Sequence, residues 1–107
     1  MIPHPLATPI QIDTIMSEHV RVEVIYRGQV QGVGFRATAC NFASDIPVTG
    51  TVRNLMDGAV ELIIEGQSDD ISALLNKIAD YWGTRISTAD RCRGRALGEF
   101  SDFRIVR

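Results

Sequence analysis

Val20-Arg21-Val22-Glu23-Val24-Ile25-Tyr26-Arg27, then Gly28-Gln29-Val30-Gln31-Gly32-Val33-Gly34, then Phe35-Arg36-Ala37-Thr38-Ala39-Cys40-Asn41-Phe42-Ala43: across residues 20–43 the hydrophobic period changes once, and that change decides the fold. Val20, Val22, Val24 and Tyr26 alternate with Arg21, Glu23 and Ile25, as a strand with one buried face requires. Phe35, Ala39, Phe42 and Ala43 recur at helical spacing up to Ser44. The segment between them, Gln31 to Gly34, is too rich in glycine for either regular element. A strand, a glycine loop and a helix therefore follow in order.

Working outward, Pro47 forbids further helix, and Val48 to Asn54 alternates again before Leu55-Met56-Asp57-Gly58 and the apolar run Val60 to Glu65. Asp57-Gly58 predicts a hairpin, because both residue types tolerate positive φ. After Gly66, Ser68 is positioned to cap a second helix whose first turn carries Asp69 and Asp70, favourable against the positive end of the helix dipole. Ile71, Leu74, Leu75, Ile78 and Trp82 form its apolar stripe, and Gly83 ends it. From Thr84 onward the pattern weakens, with Phe100, Phe103 and Ile105 suggesting a closing strand. The order βαββαβ predicts an α+β, ferredoxin-like sandwich: a four- to five-stranded, mostly antiparallel sheet with two helices on one face. In that arrangement strands one and two run parallel with strand three between them. Their C-terminal ends then lie on one sheet edge, roughly 10 Å apart at ~4.8 Å per strand, and the glycine loop faces Asn54.

The whole chain fits one such domain. It has 107 residues, a net charge of −2, 45% hydrophobic and 22% charged residues, which is a globular composition and excludes a surface devoted to non-specific nucleic-acid binding. No apolar run is long enough for a membrane-spanning helix. Cys40 and Cys92 are too few for a disulfide framework. Residues 1–19 hold three of the four prolines and no lysine or arginine, and read as an irregular arm ahead of a domain at 20–107. The arm has neither the positive start nor the apolar centre of a secretory signal, so the expected setting is cytoplasmic, with reduced cysteines. Met16 precedes the regular pattern directly and is an alternative start. A monomer is the default for this size.

The loop is where chemistry is expected. Gly28 to Arg36 joins a strand to a helix N-terminus, where unpaired backbone N–H groups and the dipole favour an anion. The glycines let successive amides of Gln31, Gly32, Val33, Gly34 and Phe35 turn inward as a nest, and the Arg36 guanidinium can fork onto two phosphate oxygens. An arginine at a helix start opposes the dipole's preference, which a bound anion would explain. Nucleotide loops fit poorly: Gly32-Val33-Gly34-Phe35-Arg36-Ala37 resembles a dinucleotide fingerprint, but the next strand ends in Asn54, not in an acid for ribose. The sole lysine, Lys77, lies far from any Walker-type position. Neither cysteine has a phosphatase-loop arginine, His4 and His19 lie outside the core pattern, and no His/Cys/Asp/Glu cluster has metal-ligand spacing, so no metal and no cofactor is predicted.

What remains is phosphate chemistry that an arginine, a carboxamide and backbone amides can perform. An acyl phosphate suits it, because its carboxylate leaving group, with a pKa near ~4, departs without a general acid. Transfer through a loose transition state is governed by positioning and charge stabilisation, which a cradle and an arginine supply. Asn54, with one acceptor and two donors, can hold a water across the sheet edge and point its lone pair at phosphorus.

Gly28 to Arg36, together with Gly50-Thr51-Val52-Arg53-Asn54 and Asp57-Gly58-Ala59-Val60, resembles the two signatures of the acylphosphatase family. The resemblance runs from about Glu18 to Arg107 and includes a similar Phe103-Arg104-Ile105 ending. It implies a small metal-free hydrolase of carboxyl-phosphate bonds, taking a small-molecule acyl phosphate as substrate and inorganic phosphate or sulfate as ligand. The arginine matching Arg36 would bind phosphate, and the asparagine matching Asn54 would orient the water. The substrate's own phosphate would accept the water's proton. Leu55 departs from a threonine that some members carry there.

A non-catalytic phosphate- or RNA-binding module on the same fold is the alternative. Arg91, Arg93 and Arg95 alternate, and on a strand would present one basic face, yet Val60 to Glu65 holds no aromatic residue for base stacking, so no nucleic-acid partner is predicted. A solvated edge that discourages strand addition accounts for the stripe. Phe35, Phe42 and Trp82 sit on helical apolar stripes and are expected in the core.

Overall fold

The structure is a computed structural model that describes residues 19–107. The expected N-terminal arm lies outside the described residues except for His19, which opens the first strand. The elements are β1 (His19–Gly28), α1 (Phe35–Ala43), β2 (Thr49–Asn54), β3 (Val60–Gln67), α2 (Ser68–Trp82), a 3-10 turn (Gly83–Arg85), β4 (Ile86–Arg95) and β5 (Phe103–Ile105). They form one five-stranded sheet in the order β4-β1-β3-β2-β5. Every pairing is antiparallel except β2 with β5.

The period-two pattern of β1 becomes strict burial: Val20, Val22, Val24 and Tyr26 are inside, and they stand opposite Gly66, Ile64, Leu62 and Val60 of β3. With Val52 of β2 opposite Leu62, these side chains share one face. The apolar stripes of both helices, from Phe35, Ala39 and Ala43 to Ile71, Leu74, Leu75, Ile78 and Trp82, join them in a single core. Each fully buried Leu, Ile or Val in it is worth roughly 1.5–3 kcal/mol of transfer free energy. Because β3 is central and antiparallel to both neighbours, β1 and β2 end on the same edge of the sheet.

Two expectations are corrected. Ser68 does not cap α2: it is the first helical residue, and the cap position falls on the extended Gln67, which makes no side-chain capping bond. The reason is that β3 runs on through Gln67 with no intervening loop, so Asp69 and Asp70 alone meet the helix dipole. Phe100 is not part of the closing strand either. After β4 the chain crosses the end of the sheet opposite the glycine loop, and only residues 103–105 pair with β2.

That crossing is tied down by the buried Glu65. Its carboxylate accepts the N–H groups of Leu97 and Gly98, each at 2.9 Å, and a third bond from Arg21 Nη1 at 2.9 Å. Arg21 also donates to Glu99 Oε1 at 2.7 Å and Glu23 Oε2 at 3.0 Å, and its guanidinium lies over the Phe100 ring. Burial alone would push the Glu65 carboxyl up, but the two amides and Arg21 outweigh it and hold the group below its ordinary range.

Candidate active site

The glycine loop is held at its far end and at its middle before it can hold anything else. At its far end the Phe35 ring is buried between Tyr26, at 5.0 Å between ring centroids, and Trp82, stacked at 5.4 Å. Gly34 takes the cap position of α1 at φ 89°, and Gly32 sits at φ 74°. Both angles are left-handed, which costs an L-residue with a Cβ roughly 1–2 kcal/mol. A Cβ at either position would meet no atom of the described residues within 4 Å beyond its chain neighbours, so backbone conformation, not crowding, calls for glycine there. The first donor of the α1 ladder is Thr38 N–H, to Gly34 C=O at 3.0 Å, so the amides of Phe35, Arg36 and Ala37 precede it. No acidic residue stands in the first turn of α1 to meet them.

At its middle the loop is clamped to the β2–β3 hairpin. Gln31 Nε2 donates to Leu55 O and to Ala59 O, both at 2.8 Å. Asp57 shapes the hairpin by accepting Ala59 N–H at 3.1 Å, and its other oxygen pairs with Arg27 at 2.8 Å, which joins the end of β1 to the turn. Arg27 holds the exposed Asp57 carboxyl below its ordinary range. The clamp sets the distance between loop and β2 from outside the cleft.

Asn54, the last residue of β2, stands opposite Val60. Its Oδ1 is buried and has no hydrogen-bond partner among the described residues. Arg36 is half-buried and makes no ion pair among the described residues. The two share a cleft of about 150 Å³ with Gly32, Gly34 and Phe35, and its remaining walls are Val30, Ala37 and Ile105. Five of the seven residues expected around the phosphate and water thus converge. The other two, Gln31 and Val33, do not line the cleft. The Gln31 carboxamide is engaged by the hairpin, which leaves its main-chain N–H for any ligand, and the Val33 side chain is exposed.

Val30, Ala37 and Ile105 line the cleft without having been expected there, and Ile105 is the one that lies far along the chain from the loop and from Asn54. Ile105 pairs with Val52 in the parallel ladder of β2 and β5, and Val106 N–H donates to Val52 O at 3.0 Å. The Phe103-Arg104-Ile105 strand signal was visible, but its place beside β2 was not. Arg91, Arg93 and Arg95 lie away from the cleft on the exposed edge strand β4, opposite Val24, Val22 and Val20. Cys40, half-buried, and Cys92, exposed, are both free thiols, and burial pushes the Cys40 thiol up. Among the described residues no three His, Cys, Asp or Glu side chains converge as metal ligands, and no helix is long and apolar enough to cross a membrane.

Set beside known proteins, residues 22–105 match the family described as Acylphosphatase. The acylphosphatase of Methylococcus capsulatus is 41% identical over 93 residues, covering 81% of this chain and 96% of that protein. That of Roseiflexus sp. is 43% identical over 94 residues, covering 85% and 99%. Among solved structures, the crystal structure of acylphosphatase from Bacillus subtilis superposes with a TM-score of 0.76 at 27% identity, over 82% of this chain and 99% of that one.

Proposed function

The chain belongs to the acylphosphatase family, and from that premise we propose how its residues divide the hydrolysis of an acyl phosphate to carboxylate and orthophosphate. The amides from Gln31 to Phe35 and the Arg36 guanidinium hold the phosphoryl group at the start of α1. Asn54 Oδ1 accepts a hydrogen bond from a water, whose oxygen lone pair then faces phosphorus. The water oxygen bonds to phosphorus as the bond from phosphorus to the acyl oxygen breaks. The electron pair leaves with the carboxylate, and the water's proton passes to a phosphoryl oxygen. The leaving carboxylate needs no acid, and the loop amides and Arg36 meet the charge that develops on the equatorial oxygens.

One observation carries this reading: Arg36, which makes no ion pair among the described residues, and Asn54, whose buried Oδ1 has no hydrogen-bond partner among them, line the same cleft. A module that only bound phosphate would have no use for that oxygen. The reading carries with it a metal-free reaction, a monomeric cytoplasmic enzyme and a catalytic domain starting near residue 20, with inorganic phosphate or sulfate as competing ligand. The test is release of benzoate from benzoyl phosphate in the presence of EDTA. Turnover unaffected by EDTA is expected. Loss of turnover on chelation would remove the metal-free mechanism, and absence of turnover altogether would leave the binding module.

A further inference from the structure

We propose that Ile105 is the specificity-determining wall for the acyl group, and that the enzyme favours acyl phosphates with an apolar, bulky acyl portion over those with a polar one. The proposal rests on the division of roles above and concerns the part of the substrate that those roles leave free. A cavity of about 150 Å³ holds a six-carbon ring and little more. Once the phosphoryl group and a water occupy it, the acyl group must lie at the mouth.

Most side chains lining the cleft are apolar. Among the described residues Arg36 and Asn54 are the only polar side chains lining the cleft, and the division of roles proposed above commits both to phosphate and water. Among the described residues no lining carboxylate or further carbonyl side chain awaits an ammonium or a carbamoyl N–H. Of the apolar walls, Val30 and the Phe35 ring are buried to within 1% and belong to the core. Ile105 is different: it is a large apolar side chain, 42% exposed, held at the cleft by the pairing of β5 with β2. A planar or branched acyl group leaving the loop would cover it, and a carbamoyl group would bring polar N–H groups against it without an acceptor.

Specificity constants for benzoyl, acetyl and carbamoyl phosphate, and inhibition by inorganic phosphate, should be measured on the wild type, Ile105→Ser and Ile105→Val. The wild type should prefer benzoyl over carbamoyl phosphate by about tenfold or more, the scale of one apolar contact in a pocket. Ile105→Ser should lose about five- to tenfold on benzoyl phosphate, mostly through KM, and less than about twofold on carbamoyl phosphate, with Ile105→Val restoring most of the difference. Equal losses on all three substrates, or no loss on benzoyl phosphate, would overturn the proposal. A comparison needing no variant is inhibition of the wild type by phenylphosphonate and methylphosphonate: the phenyl compound should bind several-fold tighter, and equal inhibition would again overturn it. Arg36→Ala separates the two layers. If it still binds phosphate and turns over, the catalytic reading fails; if it is inactive while Ile105→Ser affects all substrates alike, only the acyl-group assignment fails.

Discussion

A buried carbonyl oxygen without a donor costs about 1–3 kcal/mol, and Asn54 Oδ1 is such an atom. The cost is tolerable if a substrate water supplies the missing hydrogen bond, and this separates Asn54 from its neighbours in the hairpin. Asn54→Ala is expected to keep competitive inhibition by inorganic phosphate while losing turnover, because on the proposed mechanism it removes an interaction with the attacking water only. Arg36→Ala should remove both, with a loss in kcat/KM on the order of 10³ or more. Steady-state kinetics with phosphate as inhibitor distinguish the two. Gln31 belongs to the same scale but a different role. Gln31→Ala should cost about 1–3 kcal/mol in denaturant unfolding, from two lost bonds to Leu55 O and Ala59 O, and should lower kcat more than phosphate affinity. Arg36 and Asn54 could be proposed from sequence because their chemistry shows in residue type and position, and the structure brings both to one cleft. The Gln31 clamp could not, since its carbonyl partners are backbone atoms 24 and 28 residues away.

At the scale of elements, local pattern was informative wherever one face of a strand or helix is buried. β1, α1, β3 and α2 all carry that signature, and their observed ends fall close to those read from the sequence. β4 was harder, because it is exposed along nearly its whole length and so has no buried period to read. β5 is three residues long, and its support comes from the crossing segment tied to Glu65. Because the folded state holds the Glu65 carboxyl below its ordinary range, its contribution is fully present above the unfolded-state value and is lost as pH falls through the folded one. Glu65→Gln is therefore expected to lower thermal stability near neutrality by about 1–3 kcal/mol and to flatten the acid limb of a Tm-against-pH profile. An unchanged acid limb would place the sensitivity elsewhere.

For the whole molecule, the order β4-β1-β3-β2-β5 brings the loop after β1 and the end of β2 to one edge, and Val30, Phe35 and Val52 tie that edge to the core. Tyr26 joins core and site: it packs on Phe35, and burial pushes its phenol up to about 12, with Arg91 opposing part of the shift. A raised phenol pKa stabilises the fold fully below the unfolded value near pH 10, and that stability is lost as pH rises toward 12. Tyr26→Phe, which keeps the ring, should flatten the alkaline limb of the unfolding profile by on the order of 2–3 kcal/mol. The types and order of the principal elements, the glycine loop and the candidacy of Arg36 and Asn54 followed from sequence alone, because hydrophobic period and residue chemistry are local properties. Only the tertiary structure decided which strands take the two edges, which carbonyls Gln31 holds, how Glu65 fastens the crossing and that Ile105 walls the cleft. Those are set by contacts between residues distant in the chain, where many pairings satisfy the same local pattern and only packing and hydrogen-bond geometry choose among them.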